Sequence, residues 1–271
     1  MRYQDTLKNH LADYKRKSLG IDAPGIFNHR GQAKEYHHIL PHAYAMQNLM
    51  DEARPAAVSF LTANPSKRHK YFHHLNSSQA FTFNLFFPYF SGGAAVASSL
   101  LRALGQDAEL LEWEPEVIPD IDEQTNVDVV WKTSDGVKTY CEVKLSEAEF
   151  GTAIVDDRHQ SKLSQIYQPI LKACLDTRQL EAAAFFKSYQ FYRNLWHMAV
   201  GEQARLIFLL PRANSRLWLQ LQRLISGVTL PTRNRISVVA VEDVIQRISA
   251  DDRCSERLRA YAKRIAQKYV I

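Results

Sequence analysis

Residues 126–145 read NVDVVWKTSDGVKTYCEVKL, and this stretch decides the fold class. Two short apolar runs, Asn126 to Trp131 and Val137 to Leu145, lie on either side of Ser134-Asp135-Gly136. Short runs rich in β-branched and aromatic residues are typical of strands, and an Asp-Gly pair between two such runs is a strong hairpin signal. The stretch therefore predicts two adjacent antiparallel strands joined at Asp135-Gly136.

Helical and strand patterns alternate on both sides of this hairpin. An apolar run at 80–90 follows Asn76 and Ser77, either of which can cap a helix by accepting a free amide of its first turn. Hydrophobic spacing predicts helices over 5–17, 94–104, 160–175, 180–199, 212–224 and most of 242–271, strands over 205–210 and 236–241, and a loop-rich segment over 21–41. Such an order indicates a mixed α/β sheet flanked by helices.

The chain contains no repeat, low-complexity tract or clear linker. We therefore expect one domain over residues 1–271, with an N-terminal helical extension up to about residue 70.

Composition excludes some classes of protein and mildly favours others. The 271 residues carry a net charge of +5, which favours a polyanionic partner only weakly. No apolar run reaches the eighteen residues of a membrane helix, and the N-terminus resembles no secretory signal. Three cysteines (Cys141, Cys174 and Cys254) are far apart in sequence, which predicts reduced thiols in a cytoplasmic protein with no membrane partner.

Histidines crowd the N-terminal half, among them those at positions 37, 38, 42, 73 and 74. A structural zinc site needs four positioned ligands, and no cysteine accompanies these histidines at a useful spacing. We therefore expect structural or surface roles for them.

The strongest chemical signal is carried by the hairpin itself. Asp128 interrupts one apolar strand, and Glu142 and Lys144 interrupt the other on one face, since successive strand side chains alternate between faces. If the strands pair about the Asp-Gly turn, two carboxylates and an ammonium converge. Together with the carbonyl of Val143, the carboxylates make the oxygen ligand set that Mg²⁺ prefers. Bound Mg²⁺ neutralises phosphate charge and activates water, which predicts a phosphodiesterase.

A simpler interpretation competes with this one. Glu142 and Lys144 are also consistent with an exposed ion pair on an edge strand, which is common and contributes little free energy. Asp128 is harder to explain in that way, because an acid between Val127 and Val129 is costly to bury unless it is paired or bound to metal.

Asp128 followed by Glu142-Val143-Lys144 resembles the motif of the PD-(D/E)XK nuclease superfamily, with Val127 where the motif has proline. The segments EYHHILP (35–41), HHLNSSQA (73–80) with Asn84, and YQFYRN (189–194) are similar to a restriction-endonuclease-like bacterial branch of it. This resemblance implies an αβββαβ core with a first strand near Leu110. It also implies DNA as substrate and Mg²⁺ as cofactor, for which Mn²⁺ would substitute.

The same resemblance suggests further site residues. Among Glu112, Glu114 and Glu116, we expect Glu114 to join the metal ligands, although it is equally a candidate for a solvated acid. Gln79 and Asn84 are expected to orient water or phosphate, with helix capping as the alternative. Gln190 and Arg193 (or Asn194) share a helix face and are expected to face the site, with Arg193 touching phosphate; an ordinary surface helix is the alternative.

These features predict a Mg²⁺-dependent nuclease of the restriction or defence type that acts on DNA, with a homodimer as the candidate assembly. The competing hypothesis is a non-catalytic nucleic-acid-binding module on the same fold, which would bind phosphate with no cleavage. A metabolic α/β enzyme is disfavoured, because the chain has no Gly-rich phosphate loop, GxSxG elbow or Cys/His nucleophile pair.

Overall fold

The computed structural model describes residues 2–29 and 31–271, whose helices and strands alternate along the chain. The helices are α1 (Tyr3–Leu19), α2 (Arg54–Ala63), α3 (Ser78–Phe90), α4 (Ala94–Ala103), α5 (Asp157–Lys162), α6 (Gln168–Leu171), α7 (Ala182–Phe185), α8 (Tyr189–Val200), α9 (Ser215–Ser226), α10 (Leu230–Arg233), α11 (Val241–Ala250) and α12 (Glu256–Tyr269). The strands are β1 (Gly25–His29), β2 (Gln32–Tyr36), β3 (Leu110–Val117), β4 (Val127–Thr133), β5 (Lys138–Val143), β6 (Ala204–Leu210) and β7 (Ile236–Ala240). A π-helical turn, Leu163–Tyr167, joins α5 to α6.

By its internal contacts the chain divides into two compact units. Unit 1 comprises residues 1–110, 143–146 and 240–271, and unit 2 comprises residues 111–142 and 147–239. The expected N-terminal extension is part of unit 1, where α1 packs against α12 near the other end of the chain. The expectation of a single domain stays a prediction.

Helix α3 is the centre of unit 1. It begins where predicted, because Ser77 accepts a hydrogen bond from the amide of Ala80 and so caps the first turn. Nearly every side chain of α3 is buried, and the helix contacts α2, α4 and α12. A helix that is apolar all round is stable only when it is covered on all sides, which explains its run of phenylalanines.

Unit 2 is organised by a mixed five-stranded sheet in the order β3-β4-β5-β6-β7. Strands β4 and β5 form the predicted antiparallel hairpin, with Val129 opposite Cys141 and Lys132 opposite Lys138. Gly136 has φ +83° in the connecting turn, a conformation that glycine adopts without strain. The amide of Lys138 donates to the carbonyl of Gln203, so β5 and β6 begin at the same end of the sheet.

The fold class agrees with the sequence prediction. In chain order the core is helical (α3 and α4), then three strands (β3 to β5), then helices (α5 to α8) and then β6, with β7 as a fifth strand. This is the αβββαβ order with a mixed central sheet flanked by helices. Helix α1 ends at Gly20, which adopts the left-handed φ of +67° that glycine tolerates without strain.

Residues 21–41 were expected to be loop-rich, and this prediction is wrong. Strands β1 and β2 pair there as an antiparallel hairpin. The side chains of β2 are mostly exposed, so the segment lacks the apolar alternation by which strands are recognised in a sequence. Gly25 is needed in β1, since a Cβ atom there would lie 2.5 Å from Cγ2 of Ile39 and 2.6 Å from the Leu40 carbonyl oxygen.

Two helical predictions also need correction. The helix expected over 180–199 is broken, because a 3₁₀ turn at Phe186–Ser188 separates α7 from α8. Helix α2 was not predicted.

The cysteines are free and buried at all three positions. Among the described residues, no helix is long and apolar enough to cross a membrane.

Candidate active site

Asp128 and Glu142 lie opposite each other on the two strands of the hairpin. The register pairs Val129 with Cys141, and continuing it by one residue places Asp128 across from Glu142. Side chains of directly opposed residues point to the same face, with Cβ atoms about 5 Å apart. Asp128 is half-buried and only 1% of Glu142 is exposed. The hairpin thus brings two carboxylates together at a buried position of unit 2.

Helix α8 holds one oxygen of Glu142 in place. Asn194 Nδ2 donates a buried hydrogen bond of 2.7 Å to Glu142 Oε2, and Arg193 Nη2 lies 3.9 Å from the same oxygen. The Arg193 guanidinium also donates to the Asn126 carbonyl at 2.7 Å, which ties the start of β4 to the helix. Hydrogen bonds to a charged carboxylate are among the stronger kinds, so the orientation of Glu142 is well determined.

The pair of acids has the chemistry of a Mg²⁺ site. Mg²⁺ binds through one or two carboxylates and retains several waters. Among the described residues no group of three or more His, Cys, Asp or Glu side chains could hold a metal ion, so the ligands that the chain offers here are two carboxylates and backbone carbonyls. Glu114 is exposed and does not form such a group with Asp128 and Glu142. The donor set fits a hard cation that keeps its water.

Val143 and Lys144 follow Glu142 directly in the chain, and both are buried. The segment 143–146 belongs to unit 1 by its contacts. It is anchored there at Ser146, whose carbonyl accepts from Gln4 Nε2 at 2.7 Å and whose hydroxyl oxygen accepts from Asn76 Nδ2 at 2.8 Å. A buried ammonium is rare in proteins and is typical of a functional or tightly paired position.

A second buried carboxylate, that of Glu123, lies in unit 2 and was not predicted. It accepts hydrogen bonds from the Tyr167 hydroxyl and from the amide of Thr125, and its Oε2 lies 3.2 Å from His197 Nε2. Burial raises the pKa of Glu123, but the hydrogen bonds from His197, Thr125 and Tyr167 outweigh it and lower the pKa to about 2. This carboxylate is therefore ionised at neutral pH.

One face of α8 serves both acids. Asn194 contacts Glu142, and His197, three residues later and on the same face, contacts Glu123. Gln190, one turn before Asn194, lies against Gly151, since a Cβ atom on that glycine would fall 2.7 Å from the Gln190 Cδ. The polar spacing along 190–197 was a usable signal for this face, from which Gln190, Arg193 and Asn194 were named but His197 was not.

Gln79 and Asn84 make only structural contacts in unit 1. Gln79 accepts from the His69 amide at 2.9 Å and donates to the Lys67 carbonyl at 2.8 Å. Asn84 accepts from the Met50 amide and donates to the Asn48 carbonyl and to the Tyr269 hydroxyl, at 2.7 to 2.9 Å. Both amides are used within the unit, and Ser77 rather than either of them caps α3.

Comparison with known proteins gives one match. A family model described as Restriction Endonuclease associating with ARP matches residues 8–270. No curated protein and no solved structure matches the chain. The family match spans the hairpin that carries Asp128 and Glu142 and the helix α8 that contacts Glu142.

Proposed function

The chain belongs to the restriction endonuclease family described as associating with ARP, and from this premise we propose that it hydrolyses DNA phosphodiester bonds at Asp128, Glu142 and Lys144. The carrying observation is the cross-strand pair of acids. Like charges directly opposed on a sheet are destabilising. A cation held between Asp128 and the buried Glu142 would offset this repulsion.

The proposed cation is Mg²⁺, with Mn²⁺ able to replace it. Asp128, Glu142 and the Val143 carbonyl would hold it. When bound, such an ion neutralises charge on the phosphate and lowers the pKa of a water ligand.

The chain's own residues have separate tasks in this proposal. Asn194 donates a hydrogen bond to one carboxylate oxygen of Glu142. This bond orients the carboxylate and so restricts the positions available to its second oxygen. Arg193 adds positive charge 3.9 Å from that carboxylate and fixes the start of β4 through Asn126. Lys144 supplies an ammonium that stabilises the charge developing on the phosphate or positions the attacking water.

We further propose that the chain is a member of the PD-(D/E)XK superfamily. The αβββαβ order supports this proposal, as does the placement of an acid on β4 and of Glu142-Val143-Lys144 at the end of β5. Gln79, Asn84 and Glu114 have no part in the proposed site, because the first two amides bind the backbone of unit 1 and the third side chain is exposed. A homodimer remains a proposal, since cutting both strands of a duplex needs two active centres.

The test is cleavage of supercoiled plasmid and of linear duplex with Mg²⁺, Mn²⁺ or chelator. Asp128→Ala and Lys144→Ala are expected to lower the cleavage rate by about 10²-fold or more, because each removes charge stabilisation that operates in the transition state. Lys132→Ala is the matched control for Lys144→Ala. Lys132 lies on the same hairpin and is exposed, and its replacement by Ala also removes one positive charge.

Three outcomes are informative. Metal-dependent cleavage that survives in Lys132→Ala and is lost in the other two variants supports the proposal. Full activity in purified Asp128→Ala or Lys144→Ala would refute the assigned roles. Salt-sensitive DNA binding without cleavage under any divalent ion would favour the non-catalytic binding module instead.

A further inference from the structure

Unit 1 contains a cavity that is separate from the acids of the hairpin. Its volume is about 350 Å³, within the range of small-molecule sites. It is lined by a segment just before α3 and by the 3₁₀ turn that starts at His42. The lining residues are His42, Ala45, Pro65, Arg68, His69, Lys70, Phe72 and His73. We call this cavity the histidine pocket.

The rim of the histidine pocket is basic. Arg68, His69, Lys70 and His42 are exposed, and no carboxylate is among the lining residues. Two permanent cations beside two imidazoles, with no acid to neutralise them, make a site for an anion. A metal ion is disfavoured at this position, because the described residues contain no His, Cys, Asp and Glu group that could hold one.

The floor of the pocket carries an unsatisfied polar atom. His73 is 5% exposed, and its Nε2 is buried without a hydrogen-bond partner. A backbone hydrogen bond with Ile26 engages the ring, so Nε2 of the neutral ring is an acceptor and donates to an anionic ligand only when the ring takes up a proton. Leaving a buried polar nitrogen unpaired costs about 1–3 kcal/mol, so a fold retains such a group where a ligand or water pairs with it. The His42 ring packs over that of His73, with centroids 4.1 Å apart.

The basic rim is held in shape by Gln79. This buried side chain binds the Lys67 carbonyl and the His69 amide, the backbone groups on either side of Arg68. The two hydrogen bonds fix the segment from which Arg68 and His69 project. Gln79 is thus a positioning residue for the histidine pocket, which accounts for a buried amide at the start of an otherwise apolar helix.

We propose that the histidine pocket binds the phosphate group of a nucleotide, with Arg68 and Lys70 pairing with its oxygens and His73 Nε2, once the ring takes up a proton, donating a hydrogen bond to it from the floor. The volume accommodates more than a bare phosphate, and the two tilted imidazole rings of His42 and His73 offer aromatic surface to a base or sugar. The ligand is either a free nucleotide or a nucleotide at the end of a DNA strand. The inference does not rest on the proposed nuclease activity, since it concerns residues of unit 1 alone.

Isothermal titration of the full-length protein tests the proposal with three probes: inorganic phosphate, a 5′-mononucleotide and the matching unphosphorylated nucleoside. We expect the mononucleotide to bind, phosphate to compete with it, and the nucleoside to bind at least tenfold more weakly. Arg68→Ala with Lys70→Ala should weaken mononucleotide binding by tenfold or more, because charged hydrogen bonds are lost. Competition by a short duplex with a 5′-phosphate, but not by the same duplex without it, would identify a strand end as the source.

Arg257→Ala with Lys263→Ala is the matched control, because both residues are exposed on α12 of the same unit and the net charge changes equally. Gln79→Leu should weaken mononucleotide binding less than Arg68→Ala with Lys70→Ala does. It should leave the weak binding of the unphosphorylated nucleoside unchanged. The His73 ring protons should shift in the NMR spectrum when mononucleotide is added. Absence of mononucleotide binding, or equal loss in the rim and control variants, would overturn the proposal.

Discussion

The opposed acids make a prediction about stability that does not require catalysis. Two carboxylates about 5 Å apart, at an effective dielectric constant near 20, repel each other by about 3 kcal/mol. The hydrogen bond from Asn194 and the nearby Arg193 offset part of this repulsion. Replacing Asp128 by Asn removes the repulsion while keeping the shape of the side chain. We therefore expect the metal-free Asp128→Asn protein to be more stable than the wild type by about 1 kcal/mol.

Divalent metal should reverse that order. A ligand that binds only the folded state stabilises it by mass action, by about 1.4 kcal/mol when its concentration is ten times the Kd. For a chain of this size such a change raises Tm by about 3–6 °C. The wild type should therefore gain stability with Mg²⁺ or Mn²⁺, and the Asp128→Asn variant should gain little.

Differential scanning calorimetry in chelator and in 10 mM Mg²⁺ measures both effects. The control is Glu112→Gln, which removes one exposed acid from the neighbouring strand β3. Its metal response should match that of the wild type. Equal metal-induced shifts in the wild type and in Asp128→Asn, or a metal-free variant that melts below the wild type, would refute the reasoning.

Three further predictions follow from buried polar contacts. The pKa of Glu123 is lowered from 4.5 to about 2, so its carboxylate contributes stability that is complete above pH 4.5 and is lost as the pH falls towards 2. Glu123→Gln should remove this contribution, so that the free energy of unfolding measured by urea titration varies with pH by about 3 kcal/mol less than in the wild type. Asn194→Leu leaves Glu142 without its donor, so half-maximal cleavage should need about tenfold more Mg²⁺, at a Tm that falls by only a few degrees; unchanged metal dependence would contradict a positioning role. Asn84→Ala breaks three buried hydrogen bonds, one of them to Tyr269, and should lower the free energy of unfolding by about 3 kcal/mol with no change in the metal dependence of cleavage.

Local patterns were sufficient for most of the fold. The apolar runs around Asp135-Gly136 predicted the β4–β5 hairpin, and the run after Ser77 predicted α3. Both signals are short-range, since a turn and a helix cap involve neighbours in sequence. The β1–β2 hairpin was not predicted, because its exposed side chains do not alternate between apolar and polar. The break before α8 was not predicted, because the residues on both sides of it favour a helix.

The candidate site divides in the same way. Asp128 and Glu142 were identified from sequence because acids within apolar strands are costly and therefore conspicuous. The partners of a polar side chain are set by tertiary packing. Gln79 and Asn84 bind backbone groups of unit 1, and Glu123, which no sequence pattern singled out, is fully buried.

The sequence by itself determined the β4–β5 hairpin, helix α3 and the pair of acids on the hairpin, because these depend on hydrophobic period, capping and turn chemistry over a few residues. Only the tertiary structure decided that Asn194 binds Glu142, that His197 lies beside Glu123, and that His73 forms the floor of a basic pocket. The first two of these contacts join residues that are 52 and 74 positions apart in sequence. Their formation depends on how helices pack, which no local pattern records.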